Sequence, residues 1–313
     1  MRISLEQTAL LRQRQAQDGR QRPRLPEWLR APLPGGPRYA QIKSRLRDHG
    51  LHTVCEEAQC PNIGQCWNEG TATLMLMGDT CTRACRFCAI KMHPRPPALD
   101  ADEPRKVAEQ VQVMGLDYVV LTSVNRDDLA DGGAAHFAQT VAAIKQLTPH
   151  TLVEVLTPDF LGQVSSVATV LDAGPDVFAH NVETVVALSP QVRDKRASFA
   201  QSLQVLAFAK HHRPQVVTKS SIMLGLGETA DQIAEAMQLL RDNAVDALTL
   251  GQYLRPSPWH KEVERFAPPE EFAAWQLRAA ELGFRYCASG PLVRSSYRAG
   301  EHYLRAMIAD SDS

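Results

Sequence analysis

The sequence predicts an α/β protein built as a partial barrel of six βα units. From about residue 72 onward, short aliphatic or β-branched runs alternate with amphipathic helical patterns, and no internal repeat interrupts them. Apolar runs of this kind are typical of parallel strands covered on both faces. Six units are too few for the eight of a closed barrel, so the alternation favours an open, partial one.

The predicted elements follow one another along the chain in a regular β-then-α order. Strands are predicted at residues 73–77, 118–122, 152–156, 176–179, 216–223 and 247–250, with a late strand around Cys287. Helices are predicted at residues 134–146, 163–171, 199–211 and 270–282, after Thr229, and from Pro104 until Gly115. The helix after Thr229 is the clearest, because Thr229 and Gln232 form a capping-box pattern.

Five polar residues fall at or just beyond the predicted strand ends, where side chains of such folds reach a ligand. They are Ser123, Thr157, Asn181, Lys219 and Gln252. Each is open to a second interpretation, in which it caps a loop.

The composition is that of an ordinary soluble globular chain. Its 313 residues are 44% hydrophobic and 22% charged, enough for one large domain with appendages. Lysine and arginine total 34 against 35 acidic residues, which gives no reason to expect nucleic acid or a membrane as partner. No run approaches the roughly 20 apolar residues that span a bilayer, and no secretory signal is recognisable. A cytoplasmic location is expected.

The first thirty residues are rich in arginine and poor in acids. Pro23 and Pro26 interrupt any helix there, so a solvated arm is expected. An organelle transit peptide and a docking segment for an acidic partner are the alternatives.

Six of the seven cysteines lie between positions 55 and 88. In a reducing compartment such crowding favours metal binding over disulfides. Cys81, Cys85 and Cys88 offer three thiolates within eight residues, a grouping that suits an iron–sulfur cube with one iron open to a small molecule. The spacing differs from that of paired zinc-ribbon cysteines, and a Cys3His zinc site completed by His93 is the alternative.

A second triplet, Cys55, Cys60 and Cys66, stands upstream with intervals that allow a second cluster. A structural zinc with a remote ligand is the alternative. Cys287 is isolated, and we expect it to be a small core residue.

The two triplets and a late motif together resemble a known family. The segment from Cys81 to Cys88 matches the signature of the radical S-adenosylmethionine (SAM) superfamily, and the upstream triplet with Arg294-Ser295-Ser296-Tyr297 is similar to the lipoyl synthases. The resemblance includes segments that begin at Leu51 (LHTVCEEA), Leu74 (LMLMGDTCTR), Arg126 (RDDL), Asp131 (DGG), His180 (HNVET), Met223 (MLGLGE) and Gly251 (GQYL). The departures touch no inferred cluster ligand; they are Gln65, Asn125, Ala179 and Arg298.

The resemblance implies insertion of two sulfur atoms, at C6 and C8 of an octanoyl-lysine on a carrier protein, to give lipoyl-lysine. Those carbons carry no acidic proton or polarised centre, so a radical must abstract hydrogen and a cofactor must supply it. By resemblance, the catalytic cysteines Cys81, Cys85 and Cys88 hold a [4Fe-4S] cluster that binds SAM and cleaves it to a 5′-deoxyadenosyl radical.

The resemblance also implies a second, auxiliary [4Fe-4S] cluster that is consumed as the sulfur donor. Its ligands would be the other catalytic cysteines, Cys55, Cys60 and Cys66, with Ser296 as the fourth and Ser295 as its rival. Without the resemblance, both serines would be interpreted as caps of a C-terminal turn.

Seven further residues are implied cofactor contacts: Phe87, Ser123, Asn181, Glu183, Arg193, Gly225 and Gly227. Phe87 has core packing as an equal interpretation. The loop from Gly225 to Glu228 opens a helix and could meet a ligand through backbone N–H groups, although an ordinary turn also explains its two glycines.

The expected organisation is an Arg-rich arm (1–35), an N-terminal extension with the auxiliary-cluster cysteines (36–70), a partial barrel of the radical SAM type (71–285) and a C-terminal extension with Arg-Ser-Ser-Tyr (286–313). The implied partners are an octanoylated carrier, either a dehydrogenase E2 lipoyl domain or a glycine cleavage H protein, an electron donor of flavodoxin or ferredoxin type, and an iron–sulfur cluster carrier.

Two other functions stay open at this point. One is radical sulfur insertion into a biotin precursor or a tRNA base, although no basic, aromatic-rich RNA module is appended. The other is a non-enzymatic, metal-stabilised binding module.

Overall fold

The computed structural model describes residues 25–31, 33–57, 60–68 and 72–296. Most of the predicted arm, and Tyr297 and Arg298 of the late motif, lie outside the described residues. The chain divides into two units, of which the first ends at Arg30 and contributes one described 3-10 turn, Glu27–Leu29. The second unit begins at Ala31 and contains the other described elements.

The second unit alternates strands and helices along most of its length. Its helices are α1 Pro37–Asp48, α2 Val54–Glu57, α3 Ile63–Asn68, α4 Glu103–Met114, α5 Ala134–Leu147, α6 Val164–Asp172, α7 Ser189–Val192, α8 Phe199–His212, α9 Ala230–Asp242 and α10 Pro269–Glu281. Its strands are β1 His52–Thr53, β2 Thr73–Leu76, β3 Thr80–Cys81, β4 Lys91–Met92, β5 Tyr118–Ser123, β6 Leu152–Leu156, β7 Val177–Ala179, β8 Val217–Leu224, β9 Ala247–Gln252 and β10 Tyr286–Gly290.

Eight of these strands form one sheet in the order β1-β2-β5-β6-β7-β8-β9-β10, and β3 and β4 form a separate pair. Every neighbouring pair in the large sheet is parallel except β1 with β2. Among the described strands, β1 and β10 stand at opposite ends of this order and are not paired with each other. The prediction of an α/β partial barrel is confirmed, and all six predicted strands are present.

The sheet extends beyond six units at both ends. β10 adds a seventh parallel strand beside β9, and the short β1 adds an antiparallel one beside β2. Both extra strands belong to the segments predicted as extensions. The N-terminal and C-terminal extensions are therefore joined to the barrel by strand pairing.

The parallel strands are buried on both faces, as their unbroken apolar sequences predict. Because side chains alternate along a strand, β5 directs Tyr118 and Val120 into one apolar cluster and Val119 and Leu121 into another. The first cluster also holds residues of β7, β8 and β9, and the second extends to helices α4, α5 and α6. The strands thus have helices on one side and a common interior on the other.

Two predicted helix boundaries are confirmed in detail. Thr229 Oγ1 accepts the N–H of Gln232 at 3.3 Å, and Gln232 Oε1 accepts the N–H of Thr229 at 3.0 Å, which completes the capping box of α9. Gly115 ends α4 with a φ of 58°, a left-handed conformation that glycine adopts without a steric penalty. Within the part of the chain that the structure describes, no helix has the length and apolar character needed to cross a bilayer.

Lys219 does not lie at a strand end, so that prediction is wrong. It is the third residue of β8, which continues to Leu224, and its side chain is buried. Lys219 Nζ donates to both carboxylate oxygens of Glu154 at 2.9 Å, and Tyr118 Oη donates to the same carboxylate at 2.6 Å. The lysine is fixed by an internal ion pair across the barrel, which occupies its ammonium group.

This ion pair generates a stability prediction. Lys219→Met leaves Glu154 buried without its counter-charge and should lower the free energy of unfolding by about 3–5 kcal/mol. Adding Glu154→Gln, which removes the charge but keeps an acceptor for Tyr118, should restore most of that loss. Urea unfolding measures both effects. Arg105→Met, which breaks an exposed pair with Glu109, serves as the control and should cost less than about 1 kcal/mol. An equal cost for Lys219→Met and Arg105→Met would contradict the prediction.

Candidate functional site

The first cysteine triplet lies on the loop that joins β3 to β4, beside the mouth of the barrel. Cys81 ends β3, and Cys85 and Cys88 follow in the loop. Backbone N–H groups point at two of the sulfurs: Arg83 N lies 3.4 Å from Cys81 Sγ, and Asp194 N lies 3.3 Å from Cys85 Sγ. Such N–H groups stabilise negative charge on sulfur, so the loop suits thiolate ligands.

The three thiols are close enough to affect one another's ionisation. Burial raises the pKa of Cys85 to about 11, and the neighbouring Cys81 adds to the rise. Burial likewise raises the pKa of Cys88 to about 12, with further contributions from Cys85 and Cys81. Cys85 and Cys88 therefore resist ionisation until a cation compensates their charge, which is the behaviour of metal-binding thiols.

A cavity of about 370 Å³ opens between this loop and the carboxyl ends of the barrel strands. Its polar lining comes from the ends of four parallel strands, or the residues that follow them, and from Ser221 within β8. These lining residues include Ser123, Thr157, Asn181, Ser221 and Gln252. All three cysteines of the first triplet line the same cavity.

Three buried polar atoms in this cavity have no hydrogen-bond partner among the described residues. They are Ser123 Oγ, Asn125 Oδ1 and Asn181 Oδ1. A buried polar atom without a partner costs free energy, so these atoms are suited to bind the polar groups of a ligand. The prediction from strand-end position included Ser123 and Asn181, which line this cavity. It did not include Asn125.

Thr157 and Gln252 also line the cavity, but the polar atoms of their side chains contact backbone groups. Thr157 Oγ1 lies 3.5 Å from the carbonyl of Ala179. Gln252 Nε2 donates to the carbonyls of Leu224, Tyr253 and Arg265, and Gln252 Oε1 accepts the N–H of Ala267. For these two residues, the loop-capping interpretation describes the observed contacts.

Glu183 and Arg193 place opposite charges in the same cavity. Burial raises the pKa of Glu183, and the nearby Arg193 partly offsets that rise. Glu183 has a φ of 68°, an uncommon conformation for a residue with a side chain. Arg193 Nη1 donates to Ser202 Oγ at 2.9 Å. A carboxylate and a guanidinium held together in one cavity can receive an amino acid group, which carries both charges.

Phe87, Gly225 and Gly227 have different surroundings. Phe87 lines the cavity and also packs against Val192, Leu226 and Tyr253, so both predicted roles are compatible with its position. The two glycines do not line the cavity, and the N–H groups of Gly225 and Leu226 donate to the Glu228 carboxylate at 2.7 and 2.8 Å.

Close packing gives Gly225 a structural reason of its own. Its φ is 99°, and a Cβ at this position would lie 2.2 Å from Gln252 Nε2 and 2.5 Å from the carbonyl oxygen of Arg265. The predicted contact of the two glycines with a cofactor stays a prediction.

Arg83 stands inside the cysteine loop and was not predicted as a site residue. Its guanidinium forms paired hydrogen bonds with Asp127, both at 2.8 Å, and with Asp159, at 2.8 and 2.6 Å. Asp127 follows β5 and Asp159 follows β6, so one buried side chain ties the loop to two barrel strands. Its position between Cys81 and Cys85 was the available signal.

A second anchor holds the same loop from the opposite side. Asp194 accepts the N–H of Ala84 at 2.8 Å, and Arg196 donates to Asp194 and to the carbonyl of Thr82. The pKa of Asp194 lies well below its usual range, because these hydrogen bonds outweigh the effect of burial. No sequence signal distinguished Asp194 or Arg196.

The second triplet lies on the segment from α2 to α3. Cys55 is in α2 and Cys66 in α3, and Cys60 N donates to the carbonyl of Cys55 at 3.0 Å. Burial raises the pKa of Cys55 to about 11, and Cys60 adds to the rise. Burial also raises the pKa of Cys60, while Arg294 opposes that rise. The electrostatic interaction of Cys60 with Arg294 brings the late motif to this triplet.

The C-terminal segment reaches both triplets. Asn62, within the second triplet's segment, donates to the carbonyl of Leu292 at 2.7 Å. Arg294 and Ser295 line the cavity that contains the first triplet. Ser296 is half-buried and does not line that cavity. The predicted proximity of the late motif to the upstream cysteines is therefore seen for Arg294.

The sulfurs are not arranged as the ligands of one tetrahedral zinc ion. The sulfur ligands of one tetrahedral zinc lie only about 3.8 Å apart, because each Zn–S bond is about 2.3 Å long. Among the residues that the structure describes, no three cysteines place their sulfurs within 4.8 Å of one another. In each triplet at least one pair of sulfurs is therefore farther apart than the ligands of a single zinc ion, a spacing that is compatible with sulfurs that bind different irons.

His52, Glu57 and Asp79 do bring their ligand atoms within 4.8 Å of one another. However, the Lys91 ammonium pairs with Asp79 and supplies the positive charge that an ion would. These four residues form an ion network, which links the segment around Cys55 to the β3–β4 pair.

Comparison with known proteins decides the family. The model of the Radical SAM superfamily matches residues 75–240, and the model of the N-terminal domain of lipoyl synthase matches residues 4–60. The lipoyl synthase of Anaeromyxobacter sp. (strain Fw109-5) is 58% identical over 286 residues, which cover 91% of this chain and 97% of that protein. The chain belongs to the lipoyl synthase family.

Distant organisms contain similar family members. The lipoyl synthase of Thermus thermophilus is 58% identical over 281 residues, covering 90% of this chain and 87% of that protein. The mitochondrial lipoyl synthase of Xenopus laevis is 56% identical over 293 residues, covering 92% and 79%. The predicted resemblance to the lipoyl synthases is confirmed. Membership of this family makes the chain a radical SAM enzyme, for which one [4Fe-4S] cluster and SAM are the implied cofactors.

Solved structures outside the lipoyl synthase family share the fold. Methylornithine synthase has a TM-score of 0.53 at 12% identity, with coverage of 77% of this chain and 80% of that chain. SuiB of Streptococcus suis has a TM-score of 0.55 at 11% identity, with coverage of 73% and 54%. These similarities concern the fold alone, and they agree with the partial barrel.

The Arg83 contacts generate a second stability prediction. Arg83→Lys keeps one positive charge but cannot bond two carboxylates through paired N–H groups, so the free energy of unfolding should fall by about 2 kcal/mol. Anaerobic urea titration of the iron-reconstituted protein measures the change. Arg278→Lys, at an exposed pair with Glu281, is the matched control and should be within about 0.5 kcal/mol of wild type. If both variants unfold alike, the anchoring role assigned to Arg83 is wrong.

Proposed function

We propose that the chain inserts sulfur at C6 and C8 of a carrier-bound octanoyl-lysine, with two [4Fe-4S] clusters and SAM. The lipoyl synthase family provides the reaction. One observation from the structure supports the two-site arrangement: a single cavity is lined both by the first cysteine triplet and by Arg294 and Ser295, whose segment reaches the second triplet. A substrate carbon positioned in this cavity would lie near both cysteine triplets.

The first triplet fits a [4Fe-4S] cluster by its chemistry and by its unsatisfied surroundings. Cys81, Cys85 and Cys88 would hold three irons, and the fourth would bind SAM. When bound, the cluster supplies the electron that cleaves SAM and so provides a radical able to abstract hydrogen from an unactivated carbon. The chain itself excludes water, orients SAM and holds the octanoyl chain.

The SAM contacts are assigned from the cavity wall. Glu183 and Arg193 would bind the charged amino and carboxylate groups of SAM. Ser123 and Asn181 would form hydrogen bonds with its nucleoside part through their unpaired oxygens. Phe87 would contribute an apolar wall. Gly225 and Gly227 would act through the shape of their loop, because the N–H groups of Gly225 and Leu226 are already bonded to Glu228.

The second triplet would hold the auxiliary cluster, which is the sulfur-supplying substrate of the reaction. Cys55, Cys60 and Cys66 would provide three ligands, and Ser296 the fourth. Its rival Ser295 lines the cavity of the first triplet. An alkoxide is a harder ligand than a thiolate, so its iron is the one expected to leave as sulfur is removed.

The proposal includes the partners and the organisation of the chain. The substrate would be the octanoylated lipoyl domain of a dehydrogenase E2 component or a glycine cleavage H protein. A flavodoxin or ferredoxin would supply electrons, and an iron–sulfur carrier would replace the consumed cluster. We also propose the division at residues 1–35, 36–70, 71–285 and 286–313 and a cytoplasmic location.

Intact-mass analysis of an octanoyl-lysine peptide tests the reaction. After anaerobic incubation with the iron-reconstituted chain, SAM and dithionite, the peptide should gain two sulfurs, because a C–SH group replaces a C–H bond at each of two carbons. Oxidation of the two thiols to the cyclic disulfide in air should then remove two hydrogens. An unchanged peptide mass, together with cleavage of SAM, would refute sulfur insertion at this substrate.

Two matched cysteine substitutions test the division of labour between the sites. Each cluster holds four irons, so the wild-type chain should bind about eight and each variant about four. Cys85→Ala should abolish SAM cleavage, whereas Cys60→Ala should keep cleavage and lose sulfur insertion. Iron analysis and the yield of 5′-deoxyadenosine measure these outcomes. Equal loss of cleavage in both variants would contradict separate roles, and about four irons in the wild type would contradict two clusters.

A further inference from the structure

An exposed tryptophan stands outside the first cysteine triplet. Trp259 is 42% exposed in a segment that contains Pro256 and Pro258, which restrict its backbone. Its ring meets that of His260 edge-on, with the ring centroids 5.0 Å apart. His260 Nε2 donates to the carbonyl of Cys88 at 2.8 Å. A continuous line of contacts therefore runs from solvent to the backbone of a cysteine that we assign to the SAM-cleaving cluster.

The same surface carries positive charge. Arg86 is exposed between Cys85 and Cys88, and its guanidinium lies 4.8 Å from the centroid of the Trp259 ring. Across the described part of the chain, Arg86 has no ion pair. The neighbouring cations Arg255 and Lys261 are paired with Glu262 and Glu264, at 3.5 and 2.8 Å. Arg86 is thus the uncompensated charge of this surface.

We propose that the surface formed by Arg86, Trp259 and Lys261, here called the Trp259 patch, docks an acidic protein that carries a reduced flavin. The proposal rests on the proposed function, in which the first cluster requires electrons. Tryptophan and arginine are the residues that most often dominate binding energy at protein interfaces. An unpaired cation favours an acidic partner and increases its rate of encounter.

The proposed step transfers one electron. The electron leaves the reduced flavin, which is oxidised, and arrives at the cluster held by Cys81, Cys85 and Cys88, which is reduced. No bond forms or breaks. The patch lies beside two of these ligands, because Arg86 stands between Cys85 and Cys88 in sequence and His260, next to Trp259, donates to the carbonyl of Cys88.

Direct binding tests the docking surface. Arg86→Glu and Trp259→Ala are compared with Arg278→Glu and Leu277→Ala, which change exposed residues of α10. Each iron-reconstituted protein is titrated anaerobically with purified oxidised flavodoxin by calorimetry. Both patch variants should raise the Kd for flavodoxin by about tenfold or more. Arg86→Glu should also make this Kd less dependent on salt concentration. The α10 variants should bind as the wild type does.

Cluster reduction separates docking from damage to the site. Stopped-flow absorbance follows reduction by reduced flavodoxin and, separately, by dithionite, a small reductant that needs no docking surface. The patch variants should be slower by about tenfold with flavodoxin and unchanged with dithionite. An unchanged flavodoxin Kd in both patch variants would overturn the proposal, as would an equal slowing with dithionite. Lipoyl formation by the wild type with dithionite reports on the proposed function alone, since no flavodoxin is present.

Discussion

The guanidinium of Arg83 is the interaction on which the arrangement of the site depends. It lies between two thiols on a loop with little regular structure, and its paired hydrogen bonds reach the ends of β5 and β6. The pKa of Arg83 lies above its usual range, because the two carboxylates outweigh the effect of burial. With Asp194 on the other side, the loop is fixed to the barrel before any ligand binds. A rigid loop of this kind can present several thiols together despite their mutual repulsion.

The barrel supplies the opposite wall of the cavity. The cavity forms there because the two ends of the strands carry different side chains. Near the amino ends of the strands, the interior is closed by apolar side chains and by the Lys219–Glu154 ion pair. Near the carboxyl ends, Ser123, Asn125 and Asn181 retain unpaired oxygens. The same strands therefore contribute stability at one end and ligand contacts at the other.

Much of the fold was predictable because it depends on local patterns. The capping box at Thr229, the glycine that ends α4 and the six apolar strands are all short-range signals that packing preserved. The cysteine triplets were equally recognisable, since the type of ligand and the spacing are properties of residues that are close in sequence. The ion pair that occupies Lys219 was not predictable, because its partner Glu154 lies 65 positions away. The roles of Asp194 and Arg196 also arise from distant contacts, with Ala84 and Thr82, which no local pattern records.

The pairing of β10 with β9 gives the C-terminal segment a consequence for the order of assembly. The segment that carries Arg294, Ser295 and Ser296 leaves directly from β10, so its position is set only when this last strand joins the sheet. The first triplet and its anchors are complete earlier along the chain. During synthesis, the first triplet and its anchors can thus be in place while the surroundings of the second triplet stay incomplete until the last strand has been made.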